Sequence, residues 1–219
     1  MVFRNQLDMA SYLVFLAAFF DLLDGMAARK GACNSAFGKE LDSLADVLSF
    51  GFVPGAILFK FLQHSNLELY MFSELASRIF QFFPFIITVF SALRLARFNI
   101  DTRQTENFIG LPVPANAILI VSFPLILKQF PGHFDSLILH PYFIIVFATI
   151  SCYLLVSELN LFSLKFKTLG FKENLYQYLL LIITLVLFPF FLFATIPIVI
   201  IVYIFFSFLN SKTNQNQIQ

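Results

Sequence analysis

The chain has 219 residues, 59% of them hydrophobic and 12% charged, with 32 phenylalanines, a mean hydropathy of +0.83 and a formal net charge of +1. A water-soluble domain carries roughly a quarter of its residues as Asp, Glu, Lys or Arg, and half that share cannot clothe a 25.1 kDa globule in polar groups. A soluble enzyme, a disordered chain and a polybasic nucleic-acid binder are excluded, which leaves an integral membrane protein whose apolar excess faces lipid.

Apolar runs bounded by charges predict seven spanning helices, near residues 9–29, 40–62, 79–98, 113–130, 138–157, 176–192 and 194–209. The expected fold is therefore all-α, a polytopic transmembrane helical bundle of about seven spans. One catalytic domain is expected over residues 1–209, with a polar disordered tail over 210–219 (NSKTNQNQIQ). The last two runs meet around Pro189 and Pro197, either as one broken unit or as a tight helical hairpin. The first residues are polar and no small-residue cleavage site follows a short apolar core, so the first run serves as its own insertion signal. Cys33 and Cys152 form neither a metal motif nor a disulfide framework and read as small apolar residues. His64, His133 and His140 fall in outer connections, and Tyr70, Tyr142 and Tyr203 are expected in the aromatic belt.

Placing the connection around residues 29–39 in the cytoplasm puts Arg29, Lys30, Lys39, Arg94, Arg97, Arg103, Lys165, Lys167, Lys172 and Lys212 inside. Arg4, Lys60, Arg78 and Lys128 then fall outside. The excess of inner positive charge favours this orientation, in the cell (inner) membrane, over its reverse.

Four acids occupy places where lipid-spanning helices rarely carry them. Asp21 and Asp24 end the first apolar run, and Asp42 and Asp46 begin the second. Each intramembrane Asp costs about 2.5–3.5 kcal/mol on insertion scales and calls for a function. On a helix Asp21, Asp24, Gly25 and Ala28 share one face, and so do Gly38, Asp42, Ala45, Asp46 and Ser49. A short connection makes the two helices antiparallel neighbours, so the four carboxylates meet near the cytoplasmic interface. Bare carboxylates that close repel one another. Hard divalent cations resolve the conflict, and Mg²⁺ or Mn²⁺ suits an all-carboxylate cluster. Two metals on four Asp make a clamp for phosphoryl transfer. Gly25, Ala28 and Gly38 leave room for a bulky ligand, and Arg29 offers a fork to a phosphate oxygen. The plainer alternative is that the acids cap helices or pair with Arg29, Lys30 and Lys39.

The string Asp21-x2-Asp24-Gly25-x2-Ala28-Arg29-x8-Gly38-x3-Asp42-x3-Asp46 resembles, without departure, the signature of the CDP-alcohol phosphatidyltransferases. The resemblance implies displacement of CMP from a CDP-linked lipid by an alcohol. It implies that Asp21, Asp24 and Asp42 bind divalent metal and that Asp46 is both ligand and catalytic base. It also implies that Gly25, Ala28, Arg29 and Gly38 hold the cytidine diphosphate, and it suggests a homodimer. The stretches Leu93–Asn99 (LRLARFN) and Gly110–Ala117 (GLPVPANA), with FGKELDSLADVLSFG around Asp42 and Asp46, are similar to the serine-using branch of that family. The implied substrates are CDP-diacylglycerol, entering from the bilayer, and L-serine from the cytosol. Arg94 and Arg97 stand one turn apart on one helix face. With Asn99 they are candidate acceptor-binding residues, or cytoplasmic-end side chains snorkelling to the interface.

Members of the family carry a spanning helix ahead of the one bearing the first two Asp residues. Met1 stands only 20 positions before Asp21, and the expectation is a chain that starts late, either by truncation or by a true loss compensated by the C-terminal spans. A true loss would leave the wall of the lipid site incomplete. Two other readings compete. A sister transferase using glycerol 3-phosphate or an inositol phosphate needs basic residues for the acceptor phosphate, and Arg94, Arg97 and Arg103 leave it open. A cation transporter needs charged groups midway along several spans, whereas here they gather at the ends of the first two.

Overall fold

The computed structural model describes residues 1–29, 36–65, 73–100, 108–162, 170 and 174–216. After a 3₁₀ turn at Val2–Arg4, α1 (Leu7–Arg29) buries a narrow stripe of Ala10, Ser11 and Val14 and leaves bulky residues such as Phe19, Phe20 and Leu22 exposed. That division suits a helix with protein on one side and lipid on the other. The Ser11 hydroxyl donates to the Leu7 carbonyl at 2.9 Å, so this buried polar group has a partner within its own helix.

The chain returns through α2 (Ala36–Asp46), a π-helical turn (Val47–Phe52) and α3 (Val53–His64), which run on as one helical unit. A cause for the π turn lies in Pro54, whose missing N–H removes a bond from the helical ladder. The threonine hydroxyl of Thr88 donates to the Gly51 carbonyl at 3.2 Å inside this irregular stretch. Next come α4 (Glu74–Phe80), a 3₁₀ turn at Phe83–Phe85 around Pro84, and α5 (Ile86–Ile100). Ser73 caps α4 by accepting from the Ala76 amide at 3.2 Å.

Two glycines one turn apart let this pair of helical units close. A Cβ on Gly51 would lie 3.1 Å from the Ser91 Cβ, and one on Gly55 would lie 3.1 Å from the Thr88 Oγ1 and 3.3 Å from the Pro84 carbonyl oxygen. Small residues allow such backbone approach where lipid gives no hydrophobic drive to helix association. Gly55→Leu is therefore expected to destabilise the fold by about 1–3 kcal/mol through overpacking. A lowered midpoint of thermal unfolding in detergent would register it, and an unchanged midpoint would show that the seam can open without cost.

At the centre lies α6 (Val113–Gln129), whose Val113, Ala117, Ile120 and Val121 are fully buried. It is followed by α7 (Asp135–Ile138) and α8 (Pro141–Val156). The residues ahead of α6 and behind α8 form a two-residue antiparallel ladder, β1 (Phe108–Ile109) on β2 (Asn160–Leu161), which the sequence patterns do not foreshadow.

The last two helices, α9 (Leu175–Phe191) and α10 (Thr195–Asn216), form a hairpin. The Tyr176 and Phe206 rings stand 5.5 Å apart, so the start of α9 lies beside the second half of α10. The reversal occurs at Leu192, whose φ of 42° is left-handed, and the Phe193 amide donates to the Gln129 side-chain oxygen at 3.3 Å. By its backbone α10 continues into the polar segment from Asn210 onward.

Among the described residues, four helical stretches are long and apolar enough to cross a membrane: Leu7–Met26, Phe37–His64, Glu74–Ile100 and Leu175–Asn210, the last of them taking in both arms of the hairpin. With the shorter apolar helices α6 and α8, they make the all-α membrane-embedded bundle that the composition demands. The seven predicted spans correspond to α1, α2–α3, α4–α5, α6, α8, α9 and α10, the last two being the hairpin.

Candidate functional site

Lys128 and Asp8, paired at 2.6 Å, mark one end of the bundle. Asp8 and Asp21 are separated by about 20 Å of helix rise, so the acidic signature sits towards the other end, where α1 finishes and α2 begins. There the carboxylates of Asp21, Asp42 and Asp46 converge, with one oxygen from each within 4.8 Å of the others. Asp21 and Asp46 are half-buried and Asp42 is exposed. Asp24, one turn beyond Asp21, is exposed and stands outside this group of three.

The local sequence accounts for the convergence. Gly38, Asp42 and Asp46 follow one another at four-residue intervals and so lie along one face of α2, while Asp21 looks across from α1. Asp46 is the last residue before the π turn. Opposite oxygens of a Mg²⁺ octahedron lie about 4.2 Å apart, so three oxygens within 4.8 Å can hold one such ion with little movement. The donor set is all oxygen and all anionic, which suits a hard divalent cation. The ion pairs of Arg78 with Glu74 and of Lys128 with Asp8 involve none of the three. Among the described residues outside its own stretch of α1, nothing lies within 4 Å of where a Cβ on Gly25 would stand. Ala28 and Arg29 close α1 by their backbone, and their side chains lie outside the described residues, as do Lys30, Cys33, Tyr70, Arg103, Lys165, Lys167 and Lys172.

The three candidate acceptor residues on α5 have different surroundings. Arg94 is only 7% exposed, and its Nη2 donates to the Gly110 carbonyl at 2.9 Å and the Ile109 carbonyl at 3.3 Å. Its visible work is to pin β1 and the turn after it to α5. Arg97 is exposed. The Asn99 side-chain amide donates to the Ser43 hydroxyl at 3.0 Å, which ties the end of α5 to the helix carrying Asp42 and Asp46. Gly110 has φ of 73°, and a Cβ there would lie 2.9 Å from the carbonyl oxygens of both Leu155 and Ser157. Its amide donates to the Leu159 carbonyl and that of Leu111 to the Leu154 carbonyl, each at 2.9 Å.

Sequence reasoning passed over Ser43, whose partner is 56 residues away. Asn116 lies within GLPVPANA, where the sequence pattern assigns it no role. Asn116 is fully buried, and neither atom of its amide has a hydrogen-bond partner among the described residues. Tyr203, expected at the membrane interface, is buried instead, and its hydroxyl donates to the Phe162 carbonyl at 2.9 Å.

A helical membrane bundle with carboxylates converging from the ends of two neighbouring spans defines a class of membrane proteins built around an acidic, ion-attracting site. The family model for CDP-alcohol phosphatidyltransferase matches residues 1–156, and the chain belongs to that family. It is 43% identical over 111 residues to the CDP-diacylglycerol–serine O-phosphatidyltransferase of Methanocaldococcus jannaschii, covering 51% of this chain and 48% of that one. It is 40% identical over 118 residues to the enzyme of the same name from Helicobacter pylori, covering 53% of this chain and 46% of the relative. An archaetidylserine synthase from Methanothermobacter thermautotrophicus is 37% identical over 121 residues, covering 54% of this chain and 47% of the relative. The chain thus spans about half the length of these curated relatives.

Proposed function

We propose that this protein transfers the phosphatidyl group of CDP-diacylglycerol to the hydroxyl of L-serine, giving phosphatidylserine and CMP. The observation that carries the reading is the meeting of Asp21, Asp42 and Asp46 within 4.8 Å in a chain of this family. The names of the similar relatives favour serine as the acceptor.

In this reading the serine oxygen attacks the lipid-side phosphorus, and the bond from that phosphorus to the oxygen of the departing CMP breaks. Asp46 takes the hydroxyl proton, because an aliphatic alcohol is a poor nucleophile at neutral pH without a base. Asp21, Asp42 and Asp46 hold a divalent metal, Mg²⁺ or Mn²⁺, and Asp24 extends the set towards a second ion. Bound there, the metal would withdraw charge from the phosphate oxygens and ease the departure of CMP. Gly25, Ala28 and Gly38 leave space for the cytidine diphosphate, and Arg29 meets its phosphates. Arg97 offers a fork to the serine carboxylate, with Arg94 behind it holding the scaffold. Residues 1–209 make up the catalytic domain and a second copy completes a homodimer. The site opens to the cytoplasmic leaflet of the cell membrane, where the lipid arrives sideways from the bilayer and serine from the cytosol.

The test is CMP release from CDP-diacylglycerol by membranes containing this chain, with Mg²⁺ or Mn²⁺ and each acceptor in turn. Serine should support release, and glycerol 3-phosphate and inositol phosphate should not. Release with one of the phosphorylated acceptors instead would keep the family chemistry and discard serine.

A further inference from the structure

Among the described residues, the helix that delivers two of the three converging carboxylates has little packed around its first half. Residues 37–42 of α2 are all exposed, and the close backbone packing of α2 is chiefly against the π turn that continues it. A π turn is a natural place for a helix to bend, and mutual repulsion among Asp21, Asp42 and Asp46 pushes α2 away from α1.

A small ring of hydrogen bonds opposes that movement. The Asn99 Nδ2 donates to the Ser43 Oγ at 3.0 Å, and the Ser43 hydroxyl donates to the Lys39 carbonyl at 3.1 Å. The Lys39 ammonium reaches back to the Asn99 carbonyl at 3.4 Å and closes the ring. Ser43 adjoins Asp42 and stands one turn before Asp46, while Lys39 stands one turn before Asp42. The ring therefore grips α2 along the flank of its acidic face and anchors it to the end of α5.

We infer that Asn99 is a positioning residue, acting through Ser43 and Lys39 to hold α2 so that Asp42 and Asp46 stay within reach of Asp21. Its amide serves the protein's own helix and does not touch the acceptor. This inference rests on the metal-site reading above, and the two can fail separately. Groups that orient metal ligands from behind change metal affinity by about 10–100-fold when removed. A shift of that kind, with acceptor binding unaltered, distinguishes positioning from substrate recognition.

The experiment is Mn²⁺ binding to the purified full chain in detergent, followed by the electron paramagnetic resonance of free Mn²⁺, alongside kcat and separate KM values for Mn²⁺ and serine. Asn99→Ala and Ser43→Ala should each weaken Mn²⁺ binding about tenfold or more. The double variant should be no weaker than either single one, because both break the same ring. Ser43→Thr keeps a hydroxyl and should bind as the unaltered chain does, and the KM for serine should stay within about twofold throughout. Thermal unfolding of each variant checks that it is folded. Unchanged Mn²⁺ affinity in Asn99→Ala overturns the inference, whether the KM for serine rises, which would assign the amide to the acceptor, or only the melting temperature falls. An unaltered chain that binds no Mn²⁺ overturns the metal-site reading itself.

Discussion

Asp46→Asn is expected to abolish CMP release, by about a thousandfold or more, while leaving the protein folded. The size follows from the two roles proposed for this side chain. Removing a general base costs about 10²–10⁴ in rate, and replacing an anionic ligand by an amide weakens the hold on a hard cation as well. The stability expectation runs the other way. Asp46 is half-buried, and its carboxylate converges with those of Asp21 and Asp42. An amide of equal volume removes one of three repelling charges, so the metal-free protein should melt at the same temperature or higher. Loss of activity with retained or raised stability is the pattern of a functional site built against the interests of the fold. Asp24→Asn supplies the contrast, because Asp24 stands outside the converging group and its loss should cost less. Paired measurements of CMP release and thermal unfolding decide the matter. Release within tenfold of the unaltered chain would remove Asp46 from the role of base.

The acidic face was open to reading from sequence because its geometry is local. Three- and four-residue spacings fix which side of a helix Asp21, Asp42 and Asp46 occupy, and a short connection makes the two helices neighbours. The spans were legible for a similar reason, since an apolar run needs no tertiary information to meet lipid. What escaped depends on contacts between distant residues. Nothing near Ser43 points to Asn99, and nothing near Arg94 says that its guanidinium will turn to the carbonyls of Ile109 and Gly110. Both α5 residues belong to a stretch that is polar at a membrane interface, where exposure, ligand binding and scaffolding give the same residue types. The turn between α9 and α10 was narrowed to two alternatives by Pro189 and Pro197, but the reversal itself occurs at Leu192, a residue type that carries no turn preference. The π turn had a cue in Pro54, yet a proline two residues into a helix is also an ordinary start signal.

Gly110→Ala is expected to cost the fold more than any other glycine-to-alanine change among the described residues, and Gly132→Ala shows why. Both glycines have left-handed backbone, with φ of 73° at Gly110 and 80° at Gly132. An alanine in that region costs about 1–2 kcal/mol wherever it stands. At Gly132 that is the whole penalty, because among the described residues nothing beyond its chain neighbours lies within 4 Å of the added carbon. At Gly110 the added carbon would sit 2.9 Å from two carbonyl oxygens at the end of α8, a distance that forces the backbones apart. Separation would break the amide bonds to the Leu154 and Leu159 carbonyls, each a buried backbone group left unpaired at about 1–3 kcal/mol. It would also draw the Gly110 carbonyl away from Arg94, whose guanidinium is buried and has that oxygen as its shorter partner. A buried cation that loses its acceptors is among the most destabilising outcomes of a single substitution. The sum exceeds about 4 kcal/mol, enough to empty the folded population of a marginally stable domain. Gly132→Ala should fold with a slightly lowered melting temperature, whereas Gly110→Ala should yield little folded protein in detergent. Equal effects at the two sites would mean that left-handed backbone alone requires glycine, and that the approach of β1 to α8 is loose enough to admit a methyl group.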